Sequence, residues 1–141
     1  MILKGKRIFI LEDNANNLNI ATIILEQAGA AVQFDRYGQH TITRLQEFLP
    51  VDLILMDLML PHGATAYDIL NRIRAVPELA HIPVAALTAS DPGDVTTQLK
   101  AAGFCGFISK PVRFQTLGVY VDAILHDKSV WGTSHPTLGP R

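Results

Sequence analysis

Four points in the sequence combine the abrupt end of an apolar run with a residue suited to phosphate or metal chemistry. The runs end at Glu12-Asp13, at Asp57, at Thr88 and at Lys110. Carboxylates are the hard oxygen ligands that Mg2+ prefers, and three of them close together repel one another unless a cation joins them. A lysine offers a compact positive charge, and a threonine hydroxyl donates a hydrogen bond. The set therefore predicts a pocket for Mg2+ and a phosphoryl group, with Lys110 and Thr88 contacting the phosphoryl oxygens.

Asp57 is the predicted nucleophile of this pocket. It is flanked by Leu55-Met56 and Leu58-Met59, which leaves it as the isolated acid at the end of its apolar run. A carboxylate oxygen can attack a phosphoryl group and form an aspartyl phosphate, provided that a metal ion offsets the charge repulsion. Glu12 and Asp13 are then the residues that hold the metal.

The elements that must position these residues follow from the hydrophobic pattern. Five short apolar runs, rich in β-branched and aromatic residues, predict strands. They cover residues 8–11, 31–34, 51–56, 82–87 and 104–108. Apolar residues at helical spacing separate the runs and follow the last one, and Gly29 and Gly103 stand where a left-handed residue commonly ends a helix. The strict alternation predicts an α/β domain with helices on both faces of a parallel sheet.

The strand order decides whether the polar residues meet. Five β-α units commonly adopt the order 2-1-3-4-5, although the alternation alone is compatible with other orders. In that order the first and third strands are neighbours, which would bring Glu12, Asp13 and Asp57 into one pocket at the carboxyl ends of the strands.

Composition limits the alternatives. The 141 residues are 48% hydrophobic and 18% charged, which suits one domain, and 12 Lys+Arg against 13 Asp+Glu argue against direct nucleic-acid binding. No apolar run approaches the roughly 20 residues that span a bilayer, so we expect a soluble, cytoplasmic protein without a membrane partner. The single cysteine, Cys105, excludes a disulfide within the chain.

We predict one domain over residues 1–128 and a flexible tail over residues 129–141, in which Trp131 alone docks.

These residues, taken together, resemble the receiver domain of two-component response regulators. The resemblance covers about residues 6–127. It is carried by Glu12-Asp13-Asn14, Leu55-Met56-Asp57 with Pro61, Thr88-Ala89 and Phe107-Ile108-Ser109-Lys110-Pro111. It implies a flavodoxin-like three-layer sandwich with the strand order 2-1-3-4-5, as in chemotaxis receivers.

The resemblance also implies a function in phosphorelay signalling. Asp57 would accept a phosphoryl group from a sensor histidine kinase or a histidine phosphotransfer protein, in a reaction that requires Mg2+. Glu12, Asp13, Asp57 and the backbone carbonyl of Met59 would bind the metal. Lys110 would bind the phosphoryl oxygens together with Thr88.

The same resemblance predicts how the signal leaves the domain. Thr88 and the ring of Phe107 would switch on phosphorylation and alter the face formed by the fourth helix, fifth strand and fifth helix. We expect a stand-alone regulator, or a receiver excised from a longer protein, that contacts a downstream protein through this face and that can form a homodimer through it. Apart from phosphotransfer to its own Asp57 and autodephosphorylation, no enzymatic activity is expected.

Some features keep other interpretations open. Receivers usually carry glycine at the position of Thr65, so the alternative is a receiver-like interaction module that acts independently of phosphorylation. An acid or amide after a strand often only caps the next helix, which is the ordinary explanation of Glu12-Asp13-Asn14.

His62 lies close enough along the chain to reach the pocket, although a lone loop histidine usually takes no part in a site. Phe114 is expected to pack partly into the core.

Overall fold

The structure, a computed structural model, describes residues 1–59, 65–89 and 92–132, with the backbone alone for residues 92–94. Five strands and five helices alternate along these residues. They are β1 (Arg7–Leu11), α1 (Ala15–Gln27), β2 (Ala31–Asp35), α2 (Thr41–Glu47), β3 (Leu53–Asp57), α3 (Ala66–Arg74), β4 (Val84–Thr88), α4 (Pro92–Ala102), β5 (Gly106–Ser109) and α5 (Leu117–Leu125). Within the described residues, no helix is both long and apolar enough to cross a bilayer.

The strands form one parallel sheet in the order β2-β1-β3-β4-β5, which confirms the predicted topology. The register aligns the carboxyl ends of the central strands, since Asp57 pairs with Leu87 and Thr88 pairs with Ser109. The polar residues at the strand ends therefore lie along one edge of the sheet.

The two faces of the sheet are covered by different helices. Alternate residues of a strand point to opposite faces. Accordingly Ile8 and Ile10 pack in the core beneath α1 and α5, whereas Phe9 and Leu11 pack in the core beneath α2, α3 and α4. β3 and β4 are buried at every residue, which is why their sequences are apolar without alternation.

The two helix ends predicted at glycines are confirmed, whereas the expected packing of Phe114 is not. Gly29 and Gly103 adopt positive φ angles of 106° and 102° just after α1 and α4. α5 begins at Leu117, three residues after Phe114, whose side chain is 59% exposed. The expectation that Phe114 packs into the core was therefore wrong, because this residue precedes the helix and is not part of its buried face.

The chain after α5 returns to the sheet. Asp127 adopts a φ of 62°, and the following residues run beside β5. Trp131 docks as predicted, and its ring packs edge-on against the ring of Phe107. The expectation that Trp131 alone docks was wrong, because Val130 is buried as well. Residues 133–141 of the predicted tail lie outside the described residues.

Candidate functional site

The fold brings the three predicted acids together. Glu12 and Asp13 follow β1, and Asp57 ends the neighbouring strand β3. One carboxylate oxygen from each of the three residues lies within 4.8 Å of the others. Glu12 and Asp57 are buried, with 1% and 2% of their surface exposed, whereas Asp13 is half-buried. The site thus concentrates negative charge where water screens it poorly.

Lys110 reaches into this cluster from the end of β5. Its Nζ lies 2.9 Å from Glu12 Oε2 and 3.1 Å from Asp57 Oδ2. Burial alone would lower the pKa of Lys110, but the hydrogen bonds and negative charges of Glu12 and Asp57 outweigh it and raise the pKa above 10.5. The ammonium group therefore remains charged at neutral pH and bridges the two buried acids.

The carboxyl group of Asp57 is held from two sides. The backbone N–H of Met59 donates a 3.0 Å hydrogen bond to Oδ1, while Lys110 contacts Oδ2. Burial raises the pKa of Asp57 above 3.8, with a further contribution from the charge of Glu12, against the opposing effects of Met59 and Lys110. The sequence analysis named only the carbonyl of Met59 and missed the role of its N–H.

The two remaining predicted residues lie on the adjoining strands. Thr88 is the last residue of β4, one position beyond the partner of Asp57, and it is buried. Its backbone carbonyl accepts a 2.9 Å hydrogen bond from the N–H of Lys110. Phe107 lies on β5, three residues before Lys110, with a fully buried ring. Phe107 and Lys110 are thus linked along the chain of β5, and Lys110 is linked to Thr88 by a backbone hydrogen bond.

The loop after β1 serves both the site and the next helix. The side chain of Asn14 accepts a hydrogen bond of 3.0 Å from the N–H of Asn17 and caps α1. The N–H of Asn14 in turn donates to Glu12 Oε1 at 3.2 Å. The capping interpretation therefore holds for Asn14, while Glu12 and Asp13 face the cluster.

Arg36 is a further contributor that the sequence analysis missed. It lies between β2 and α2, and its Nη2 donates a 2.8 Å hydrogen bond to the backbone carbonyl of Asp13. Its loop is held by Asp35, which accepts hydrogen bonds from the N–H of His40 and the hydroxyl of Thr41. No sequence pattern marked this contact, because Arg36 is 23 residues from Asp13.

Thr65 has a structural role that accounts for its residue type. Its hydroxyl accepts a 3.1 Å hydrogen bond from the N–H of Asp68 and caps α3, and its φ of −97° needs no glycine. Residues 60–64 lie outside the described residues. The place of Pro61 in the motif and the reach of His62 into the pocket therefore remain predictions.

The donor set fits a hard divalent cation. Three carboxylates face a single ammonium group, so the cluster carries a net charge of about −2 when all are ionised. Apart from its ion pair with Lys110, the buried Oε2 of Glu12 has no hydrogen-bond partner among the described residues. Oxygen-only coordination with one or two direct carboxylates is typical of Mg2+.

Comparison with known proteins agrees with this architecture. The family model of the response regulator receiver domain matches residues 8–122. The polar-differentiation response regulator DivK of Brucella anthropi is 32% identical over 107 residues, which are 76% of this chain and 85% of that protein. The hybrid signal transduction histidine kinase M of Dictyostelium discoideum is 34% identical over 117 residues, but the matched part of this chain spans only 5% of the kinase.

Solved structures extend the comparison to the fold. The chemotaxis response regulator CheY4 of Vibrio cholerae superposes with a TM-score of 0.76 at 21% identity, covering 84% of this chain and 98% of that chain. The receiver domain of a signal transduction histidine kinase from Syntrophus aciditrophicus gives 0.70 at 31% identity, covering 86% and 91%. The match along residues 8–122, the relatives above 30% identity and the shared strand order show that this chain belongs to the receiver domain family of response regulators.

Proposed function

We propose that this chain is a phospho-receiver in which Asp57 accepts a phosphoryl group from the phosphohistidine of a histidine kinase or a histidine phosphotransfer protein. The observation that carries the proposal is the buried carboxylate of Asp57 at the tip of β3, 3.1 Å from Lys110 Nζ and inside a cluster of three acids. We place the exchange in the cytoplasm, because the donor kinase would draw its phosphoryl group from ATP.

The proposed step is a direct transfer. A carboxylate oxygen of Asp57 attacks the phosphorus atom, an O–P bond forms, and the P–N bond to the donor imidazole breaks. The imidazole leaves with the electron pair of that bond and takes up a proton.

The neighbouring side chains would stabilise the transferred group. Lys110 stays protonated and is close enough to Asp57 to contact a phosphoryl oxygen as a point charge. The hydroxyl of Thr88, at the adjoining strand tip, would donate a hydrogen bond to another phosphoryl oxygen. The same residues would assist autodephosphorylation, in which a water molecule attacks the phosphorus and Asp57 leaves.

Glu12, Asp13, Asp57 and the carbonyl of Met59 would hold Mg2+. When bound, the ion supplies positive charge that offsets the repulsion between the acids and the incoming phosphoryl group. Arg36 would help to orient this loop, since it fixes the backbone carbonyl of Asp13.

The output of the domain would pass along β5. Thr88 and Lys110 are joined by a backbone hydrogen bond, and Phe107 shares the short strand that leads to Lys110. We propose that phosphorylation changes the positions of Thr88 and Phe107, and with them the face formed by α4, β5 and α5. A downstream protein would bind that face.

Intact mass after incubation with acetyl phosphate tests the proposal. We expect one added phosphoryl group on the wild-type chain with Mg2+, and none after chelation of the metal or in Asp57→Asn. Asp122→Asn is the matched control, because Asp122 is a carboxylate on α5 that pairs with His126 away from the cluster; this variant should be modified like the wild type.

A wild-type chain that neither gains mass nor binds beryllofluoride would contradict the proposal. That result would favour an interaction module that acts without phosphorylation. An adduct that survives in Asp57→Asn would contradict the assignment of the acceptor.

A further inference from the structure

The outer edge of β5 is covered by the chain itself. The N–H of Phe107 donates to the carbonyl of Val130 at 2.9 Å, and the N–H of Gly132 donates to the carbonyl of Phe107 at 3.0 Å. Residues 129–132, which we call the strap, thus run parallel to β5 and pair with it through one isolated bridge, between Phe107 and Trp131.

The side chains of the strap alternate as in a strand. Val130 is buried in the core beneath α1 and α5, whereas Trp131 packs on the opposite core, beneath α2, α3 and α4. The ring of Trp131 meets the ring of Phe107 edge-on at a centroid distance of 6.4 Å. Lys100 Nζ, in the last turn of α4, lies 4.9 Å from the centroid of the Trp131 ring. The strap therefore connects β5 to α4 across the proposed output face.

The sequence of β5 accommodates the strap. A Cβ atom at Gly106 would lie 2.6 Å from the carbonyl oxygen of Val130, closer than any side chain tolerates. Glycine at the first position of β5 therefore permits the close approach of the two backbones. Alanine at this position would push the strap away from β5 without altering the strap's own residues.

An occupied strand edge cannot pair with another chain. The exposed N–H and C=O groups of an edge strand are a ready template for an extended segment of a partner. We propose that the strap is an autoinhibitory contact, which occupies the edge of β5 in the unphosphorylated protein and leaves it after phosphorylation, so that this edge becomes accessible. This inference rests on the proposed function and specifies its regulation.

β5 provides the physical connection between the two sites. Lys110 follows directly after β5 and contacts Asp57, so a phosphoryl group on Asp57 gives this lysine a new anionic partner. Phe107, on the same four-residue strand, makes both backbone hydrogen bonds to the strap. Coupling between two sites is reciprocal. If phosphorylation weakens the strap, release of the strap must strengthen binding of a phosphoryl mimic by the same factor.

Trp131 makes the strap observable, because it is the single tryptophan of the chain. The probe is beryllofluoride with Mg2+, added to the wild-type chain of 141 residues. We expect the emission of Trp131 to shift to longer wavelength and its quenching by acrylamide to increase. Asp57→Asn should show neither change.

Two variants release the strap by different means. Gly106→Ala removes the space for the Val130 carbonyl, and Val130→Asp places a charge in the core. Both should show red-shifted Trp131 emission without the mimic, and calorimetric titration should show beryllofluoride binding at least about fivefold tighter than in the wild type. Val119→Asp is the matched control, since Val119 is 49% exposed on α5; it should behave as the wild type.

The wild-type measurement decides the inference even if both variants fail to fold. If beryllofluoride binds but Trp131 emission stays unchanged, the strap is a static part of the fold and the inference is wrong. Wild-type affinity in a folded release variant would overturn it as well. If beryllofluoride does not bind to the wild type at all, the proposed function fails and the inference fails with it, so calorimetry distinguishes the two failures.

Discussion

Replacement of Lys110 by methionine isolates the charge that holds the buried acids together. Methionine keeps most of the apolar stem but removes the ammonium group, whose Nζ lies 2.9 Å from Glu12 and 3.1 Å from Asp57. Both carboxylates would then be buried without a positive partner among the residues that the structure describes. Without divalent metal, we expect the free energy of unfolding to fall.

The size of this loss follows from burial. The side chains of Glu12 and Asp57 are 1% and 3% exposed, which places their charges in a poorly screened site. Removing one partner of a buried ion pair costs about 3–5 kcal/mol. The lysine side chain is 17% exposed, so water reaches the pocket and we take the lower end, about 3 kcal/mol. For a chain of this length that loss corresponds to a decrease in Tm of roughly 10 °C.

Thermal unfolding at neutral pH, with and without Mg2+, measures the effect. Lys4→Met is the matched control, because Lys4 is exposed and has no ion pair among the described residues. We expect Mg2+ to recover a large part of the loss in Lys110→Met, since a divalent cation bound by the acids replaces the missing charge. A Tm decrease no larger than that of Lys4→Met would refute the reasoning, and so would a decrease that Mg2+ leaves unchanged.

Three further predictions concern single residues of the site and its loops. Without metal, Asp57→Asn should raise the free energy of unfolding at neutral pH, because burial raises the pKa of Asp57 and its charged form therefore destabilises the fold. As the pH falls through this raised pKa towards 3.8, the wild type becomes protonated, and denaturant unfolding should show the difference in stability between variant and wild type disappear. Thr65→Ala should cost about 1 kcal/mol through loss of the α3 cap, with the mass gained from acetyl phosphate unchanged. Asp35→Ala should cost about 1–3 kcal/mol in urea unfolding, because the buried hydroxyl of Thr41 and the N–H of His40 lose their acceptor; an unchanged midpoint would contradict this.

The convergence of the acids could be predicted from the sequence because two independent signals coincide. The apolar runs of β1 and β3 end at Glu12 and Asp57, and a parallel sheet places the ends of its strands on one edge. Only the strand order was needed to bring them together. The alternation of strands and helices favours that order.

Contacts between residues distant in sequence were not predictable in the same way. Arg36 reaches the carbonyl of Asp13 from a loop whose sequence has no motif. The strap pairs with β5 through a single bridge, which is too short for a strand pattern to stand out in the sequence. Thr65 was noted only as a departure from the family, because its capping role depends on where α3 begins. In each case the contact depends on where the backbone of a loop or helix end lies, which the types of the residues do not determine.

Identification of the residue that carries the phosphoryl group shows whether Asp57 is the acceptor. The chain should be phosphorylated with acetyl phosphate and Mg2+, reduced with borohydride to convert an acyl phosphate to an alcohol, digested, and sequenced by tandem mass spectrometry. We expect homoserine at position 57 and unmodified Glu12 and Asp13. Reduction at either of those two acids, or a phosphoryl group on His62 with Asp57 unmodified, would contradict this expectation.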